Sequence, residues 1–145
     1  MSLIENKRAL FDFSVLEELE AGIELEGTEV KSVRAGQGSL KGARVLVRGG
    51  EAYLVGATIP PWQVKNAAKS YDSERPRRLL LGHKEIARLA SAEGEKGLTI
   101  IPISMYSKAR YLKLRIAIVR GKKKADKRED IKKRDDERRA ARDSR

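Results

Sequence analysis

Ala43-Arg44-Val45-Leu46-Val47-Arg48-Gly49-Gly50-Glu51-Ala52-Tyr53-Leu54-Val55-Gly56-Ala57-Thr58-Ile59 is the stretch that decides the fold. Two β-rich runs, 43–48 and 51–59, flank Gly49-Gly50. Adjacent glycines supply the two positive φ angles of a type I′ turn, so the spacing predicts a tight antiparallel hairpin. Further along, residues 98–106 and 110–119 predict a second hairpin, because Leu112, Leu114, Ile116 and Ile118 alternate with Lys113, Arg115 and Ala117. That alternation buries one face and leaves the other partly basic. Pro102 cannot donate to a strand ladder, which puts its strand at an edge or a bulge at that point. Between the hairpins, Ile86, Leu89 and Ala90 recur at helical spacing over 83–92, and Gly94 follows as a stop.

Before the first hairpin, Ser14 and Glu17 form an S-x-x-E capping box, predicting a short helix with Val15, Leu16 and Leu19 inward that stops near Gly22. Residues 23–30 then read as a first strand, followed by a loop carrying Gly36, Gly38 and Gly42. Strand, hairpin, helix, hairpin makes a mainly β fold with flanking helices, an OB-type antiparallel barrel of the kind that often hosts nucleic acid. An open antiparallel sheet with helices on one side is the structural alternative.

The chain has 145 residues, room for one domain plus appendages, and 32 Lys or Arg against 21 Asp or Glu give a net charge of +11. A polyanion is the expected partner. The charge is uneven: residues 120–145 hold 13 basic and 7 acidic side chains, with Ile131 the one large hydrophobe. Such a segment cannot bury itself. Pairs such as Glu129 with Lys133 fall at helical spacing, but each contributes only about 0.2–0.5 kcal/mol. The tail is therefore expected to be disordered in free solution and helical when bound. The division is a barrel over 1–121 and a basic tail over 122–145.

The chemistry-bearing inventory is thin. There is no Cys, which excludes disulfides, thiolate metal sites and a cysteine nucleophile, and the single His makes a histidine-based catalytic or metal site a poor fit. The glycine-rich run from Gly36 to Gly42 lacks the G-x-x-x-x-G-K-[ST] phosphate loop. Glu24 and Glu26 would share a strand face, with Glu29 nearby, in the manner of a Mg²⁺ nuclease, but alternating glutamates more commonly line a solvated strand. No catalytic group, metal site or cofactor is expected. No apolar run reaches membrane-spanning length and the N-terminus lacks a secretory h-region, so a cytoplasmic location is expected.

The basic clusters are stronger: Asn6-Lys7-Arg8, Lys31 with Arg34, and Arg75, Arg77 and Arg78 all read as lying outside the hydrophobic strand faces. With the tail they point to RNA or DNA, and Trp62 and Tyr71 are candidate stacking rings. Residues alone stop at a basic RNA-binding barrel, which a ribosomal protein or a general RNA-binding OB-fold protein also fits.

Several segments together resemble the tmRNA-binding protein (SsrA-binding, small protein B) family of bacterial trans-translation. They are Asn6-Lys7-Arg8-Ala9, Glu20-Ala21-Gly22-Ile23, Gly27-Thr28-Glu29-Val30-Lys31-Ser32, Arg34-Ala35-Gly36, the run RPRRLLL from Arg75 to Leu81, Gly97-Leu98-Thr99, and Arg120-Gly121-Lys122-Lys123 with Asp126-Lys127-Arg128. The resemblance implies an OB-type barrel that binds the tRNA-like domain of tmRNA, with Asn6 and Glu20 in the RNA contact and the basic residues nearby. It implies a tail that enters the vacant mRNA channel of a stalled ribosome, meets small-subunit RNA at the decoding site, and folds there as a helix. Elongation factor Tu would join indirectly, through charged tmRNA. Lys122, Lys123, Asp126, Lys127, Arg128 and Ile131 are the tail residues expected to meet the ribosome. The sequence departs from the family pattern at Phe11, Ser73, Gly82 and Ala125, the last removing a ring before Asp126-Lys127-Arg128.

Overall fold

The computed structural model of the chain describes residues 2–62 and 71–121. In order it runs β1 (Ser2–Glu5), α1 (Ala9–Asp12), β2 (Phe13–Ile23), α2 (Gly27–Arg34), β3 (Arg44–Arg48), β4 (Glu51–Val55), β5 (Arg77–Leu80), α3 (His83–Glu93), β6 (Leu98–Lys108) and β7 (Tyr111–Gly121). These strands form one seven-stranded sheet in the order β1-β6-β7-β2-β5-β4-β3, every pairing antiparallel. The sheet rolls until β3 runs against β6. No ladder joins those two strands, so the OB-like barrel keeps an open seam.

Both hairpins form. Arg48 pairs with Glu51 across Gly49 and Gly50, whose φ angles of 59° and 76° are those a type I′ turn requires. In β6 and β7, Leu112, Leu114, Ile116 and Ile118 face the core with Ile100, Met105 and Leu54. β6 is an interior strand, but β1 covers it only from Ser104 to Tyr106; Pro102 pairs with Ile116 of β7 just beyond that stretch, and the register shifts between Pro102 and Ser104. The bulge, at the point where the β1 ladder has ended, accommodates its missing N–H. Helix α3 closes the core with Leu89 and Ala92, both fully buried; Ala90 is on its exposed side. The tail, 122–145, lies outside the described residues.

Three readings of the sequence are corrected. The stretch expected as a helix from Ser14 is the long strand β2, paired with β7 from Phe13↔Gly121 to Gly22↔Lys113. Its register shifts between Val15 and Glu17. The extra residue breaks the period of two, leaves Leu16 53% exposed, and makes Val15, Leu16 and Leu19 mimic helical spacing. The expected strand over 23–30 ends at Ile23, and α2 begins at Gly27. Glu29 closes that helix start by accepting the Glu26 N–H at 2.8 Å, and Glu29, Ser32 and Val33 are its buried positions. Finally, the arginine run placed outside the hydrophobic faces contains β5, where Arg77 and Leu79 point inward and Arg78 and Leu80 outward. A strand whose first inward residue is Arg has no apolar alternation to read.

Candidate nucleic-acid interface

The outward residues of β7, Lys113 and Arg115, lie opposite Gly22 and Glu20 of β2 and opposite Tyr106 and Ser104 of β6. This registry gathers a cationic and aromatic face from three strands. The Tyr106 hydroxyl donates to Glu20 Oε2, and Lys108 Nζ lies 3.2 Å from Glu20 Oε1. The Arg115 guanidinium stands 5.5 Å from the Tyr106 ring centroid, in cation–π range. Its Nη1 also reaches Glu18 at 3.5 Å. At the β6–β7 tip, Ala109 turns with φ 55°, and Arg34 of α2 ties the tip down through Ser107 Oγ (3.3 Å) and the Arg110 carbonyl (3.0 Å). Tyr111, beside it, is 70% exposed.

The electrostatics follow from these contacts. The Tyr106 hydrogen bond, then that from Lys108, holds the Glu20 carboxyl below its ordinary value. Burial, then the bond to Glu20, pushes the Tyr106 phenol up. Glu20 is thus an ionised acceptor at the centre of a basic surface, positioning a ring and an ammonium group. Exposed Tyr111 and Arg110, with half-buried Lys113, offer what RNA recognition needs: a stacking face and charged phosphate donors.

The structure divides the sequence-derived candidates into three places. Glu20 and Arg34 belong to the face just described, and Lys31 is exposed in the last turn of the same helix as Arg34. Asn6, Lys7 and Arg8 follow β1, and Asn6 lies beside the middle of β6. There Asn6 Nδ2 donates to the Pro102 carbonyl at 2.9 Å and its N–H to Ile103 O at 2.8 Å, pinning the chain to the bulge. Lys7 is exposed; Arg8 lies 4.6 Å from the Phe11 ring centroid and 3.7 Å from Asp12.

The third place is a network around Glu29. Arg77 is fully buried, with Nε and Nη2 at 2.9 and 2.7 Å from Glu29 Oε2. It cannot reach RNA, which corrects its assignment as a contact residue. Arg75 binds the same carboxylate. Arg78 is exposed but bridges Glu24 (2.9 Å) and Glu51 (3.1 Å). Burial pushes the Glu29 carboxyl up, yet the bonds from Arg75, the Glu26 N–H and Arg77 together hold it below its ordinary value. The Tyr71 hydroxyl donates to Ile59 O at 2.6 Å and lies 3.2 Å from Glu29 Oε2, so this ring is a clamp. Trp62 is 40% exposed, and its backbone N–H donates to Thr28 Oγ1 at 2.8 Å. Glu24, Glu26 and Glu29 do not converge, and among the described residues no group of three acidic, His or Cys side chains could hold a metal ion. The tail candidates Lys122, Lys123, Asp126, Lys127, Arg128 and Ile131 lie outside the described residues.

Sequence reasoning missed Tyr106, Lys108, Arg110 and Tyr111. The partly basic outer face of β7 was the available signal, but only strand pairing shows which rings and acids border it.

An open antiparallel barrel with a basic, ring-bearing sheet face defines a small nucleic-acid-binding protein. Residues 3–145 match the family model described as SmpB protein, and the chain belongs to that family. It is 46% identical to the SsrA-binding protein of Gloeothece citriformis over 136 residues, covering 94% of this chain and 88% of that one. It is 50% identical to the SsrA-binding protein of Thermosipho africanus over 131 residues, covering 90% and 87%. Among solved structures it is similar to a chain described under "tmRNA-SmpB: a journey to the center of the bacterial ribosome", with TM-score 0.70, 42% identity, and coverage of 83% of this chain and 85% of that one.

Proposed function

We propose that this protein binds tmRNA and delivers it to stalled ribosomes for trans-translation. The observation that carries the reading is the match over residues 3–145 to the SmpB family, whose members named above share its length and nearly half of its residues. The basic face around Glu20, Tyr106 and Lys113 gives that reading a physical surface.

The work is divided between a body, 1–121, which holds the tRNA-like domain of tmRNA, and a tail, 122–145, which enters the empty mRNA channel and meets small-subunit RNA at the decoding site. Asn6, Lys7, Arg8, Glu20, Lys31 and Arg34 serve the body's RNA contacts, with Arg75 and Arg78 as partly neutralised charges at their margin; Arg77 holds the fold. Lys122, Lys123, Asp126, Lys127, Arg128 and Ile131 serve the tail. Elongation factor Tu joins through the charged tmRNA. The protein acts as a binder and not as an enzyme, in the cytoplasm where ribosomes work; no helix among the described residues is long and apolar enough to cross a membrane.

Sequencing the RNA that co-purifies with the protein tests this. tmRNA should dominate, and the protein should be substoichiometric on ribosomes and enriched on stalled ones. Recovery in equal amounts with every ribosome and without tmRNA would instead make it a ribosomal protein. RNA cleavage on adding Mg²⁺ would overturn the assignment as a pure binder.

A further inference from the structure

The open seam of the barrel holds a cleft of about 630 Å³ away from the Glu20 face. Its floor is apolar. Ala9 and Ile101 are buried in the small cluster on the outer face of the sheet, and Phe13 packs against them. Its rim carries Arg8 with its partner Asp12 on one side and Lys41, just before β3, and Arg44, the first residue of β3, on the other. Asn6 and Thr99 add polar groups to the wall.

Arg8 on this rim pairs with Asp12 at 3.7 Å, whereas Lys41 and Arg44, both exposed, form no ion pair among the described residues, as is also true of Lys7, Lys31 and Lys113. An apolar floor carrying one aromatic ring, beneath unneutralised cations, is complementary to one chemical object: a flat base face joined through its sugar to phosphates. The volume lies within the roughly 300–1,000 Å³ of small-molecule sites. Paired RNA fits the cleft poorly, because its bases are stacked and only its phosphates are offered.

We propose that the seam cleft is a second RNA subsite, taking a single unpaired nucleotide whose base lies against Phe13, Ala9 and Ile101 and whose flanking phosphates meet Lys41 and Arg44. The proposal rests on the reading of the chain as an RNA-binding protein. Val119 of the floor cluster is four positions along β7 from Arg115, roughly 13 Å at about 3.3 Å per residue. One structured RNA can therefore lie on the cationic face and place a loop nucleotide in the seam. Phe13 pairs with Gly121, so the site also adjoins the point where the body gives way to the tail.

The test uses the full chain labelled with ¹⁵N, titrated with single-stranded purine and pyrimidine pentaribonucleotides and, separately, with inorganic phosphate, while tmRNA affinity is measured in parallel. The pentanucleotides should shift the amides of Phe13, Gly42, Ala43 and Thr99, and phosphate at equal concentration should not. Lys41→Glu with Arg44→Glu should weaken pentanucleotide binding at least tenfold, and Phe13→Leu should weaken it while keeping an apolar floor. Equal shifts with phosphate alone would reduce the cleft to an anion site and overturn the proposal, as would shifts confined to the Tyr106 and Lys113 face or wild-type binding by the double variant. Retained tmRNA binding with unmoved cleft amides would defeat the subsite alone; loss of binding to both RNAs would defeat the RNA-binding reading itself.

Discussion

Arg77 and Glu29 are both fully buried, and Arg77 Nη2 lies 2.7 Å from Glu29 Oε2. The same carboxylate receives Arg75 and Tyr71. The pair locks α2, the start of β5 and the stretch around Ser73 together, since Arg77 also donates to the Ser73, Arg75 and Ala57 carbonyls at 2.9, 3.0 and 3.2 Å.

Removing one member of such a pair leaves a buried charge without its partner, which costs about 3–5 kcal/mol. Arg77→Ala should therefore lower stability by about that amount, while Arg78→Ala, losing only exposed bridges, should cost no more than about 1 kcal/mol. Urea unfolding of both variants checks this. Equal, small effects would mean that Arg77 is a surface charge after all.

Glu29 also gives the fold an acid limit. Its carboxyl is held below the ordinary value, so its contribution to stability is complete above the unfolded-state pKa and is lost as pH falls through the folded one. Urea midpoints measured from pH 7 down to pH 3 should fall toward acid in the wild type. In Glu29→Gln the midpoint should start lower and decline less steeply.

Glu20→Ala makes the protein more positive, yet it should weaken tmRNA binding by roughly five- to tenfold, about 1–1.4 kcal/mol, because Tyr106 and Lys108 lose the group that orients them. Lys113→Ala should weaken binding and reduce the slope of log K against log salt by about 0.7–0.9. Filter binding across salt concentrations reads both. Equal or tighter binding by folded Glu20→Ala would show that charge alone governs this face.

Deleting residues 122–145 should leave the body folded and its tmRNA affinity within roughly tenfold, while abolishing the tagging of nascent chains on stalled ribosomes. As a helix, residues 124–145 would span roughly 33 Å at 1.5 Å per residue, long enough to probe an empty channel. Ile131→Asp should impair tagging with little effect on tmRNA binding. An in vitro tagging assay run beside tmRNA binding decides; normal tagging by the truncated protein would reduce the tail to a solvated charge run.

Sequence alone determined the features that repeat over short distances. Gly49-Gly50 set the first hairpin, the alternation from Leu112 to Ile118 set the inward face of β7, and the spacing of Ile86 and Leu89 set α3. Each is legible because its physical cause is local: a backbone angle, or a period of two or 3.6. Tertiary structure alone decided that Ser14 lies in a strand, since a bulge erased the period and β7 supplies the hydrogen bonds. It likewise decided which charges are free. Arg77 and Glu29 are 48 residues apart and Tyr106 and Glu20 are 86 apart. A charged side chain is buried or exposed according to whether a distant partner meets it, and that meeting exists only once the sheet has rolled.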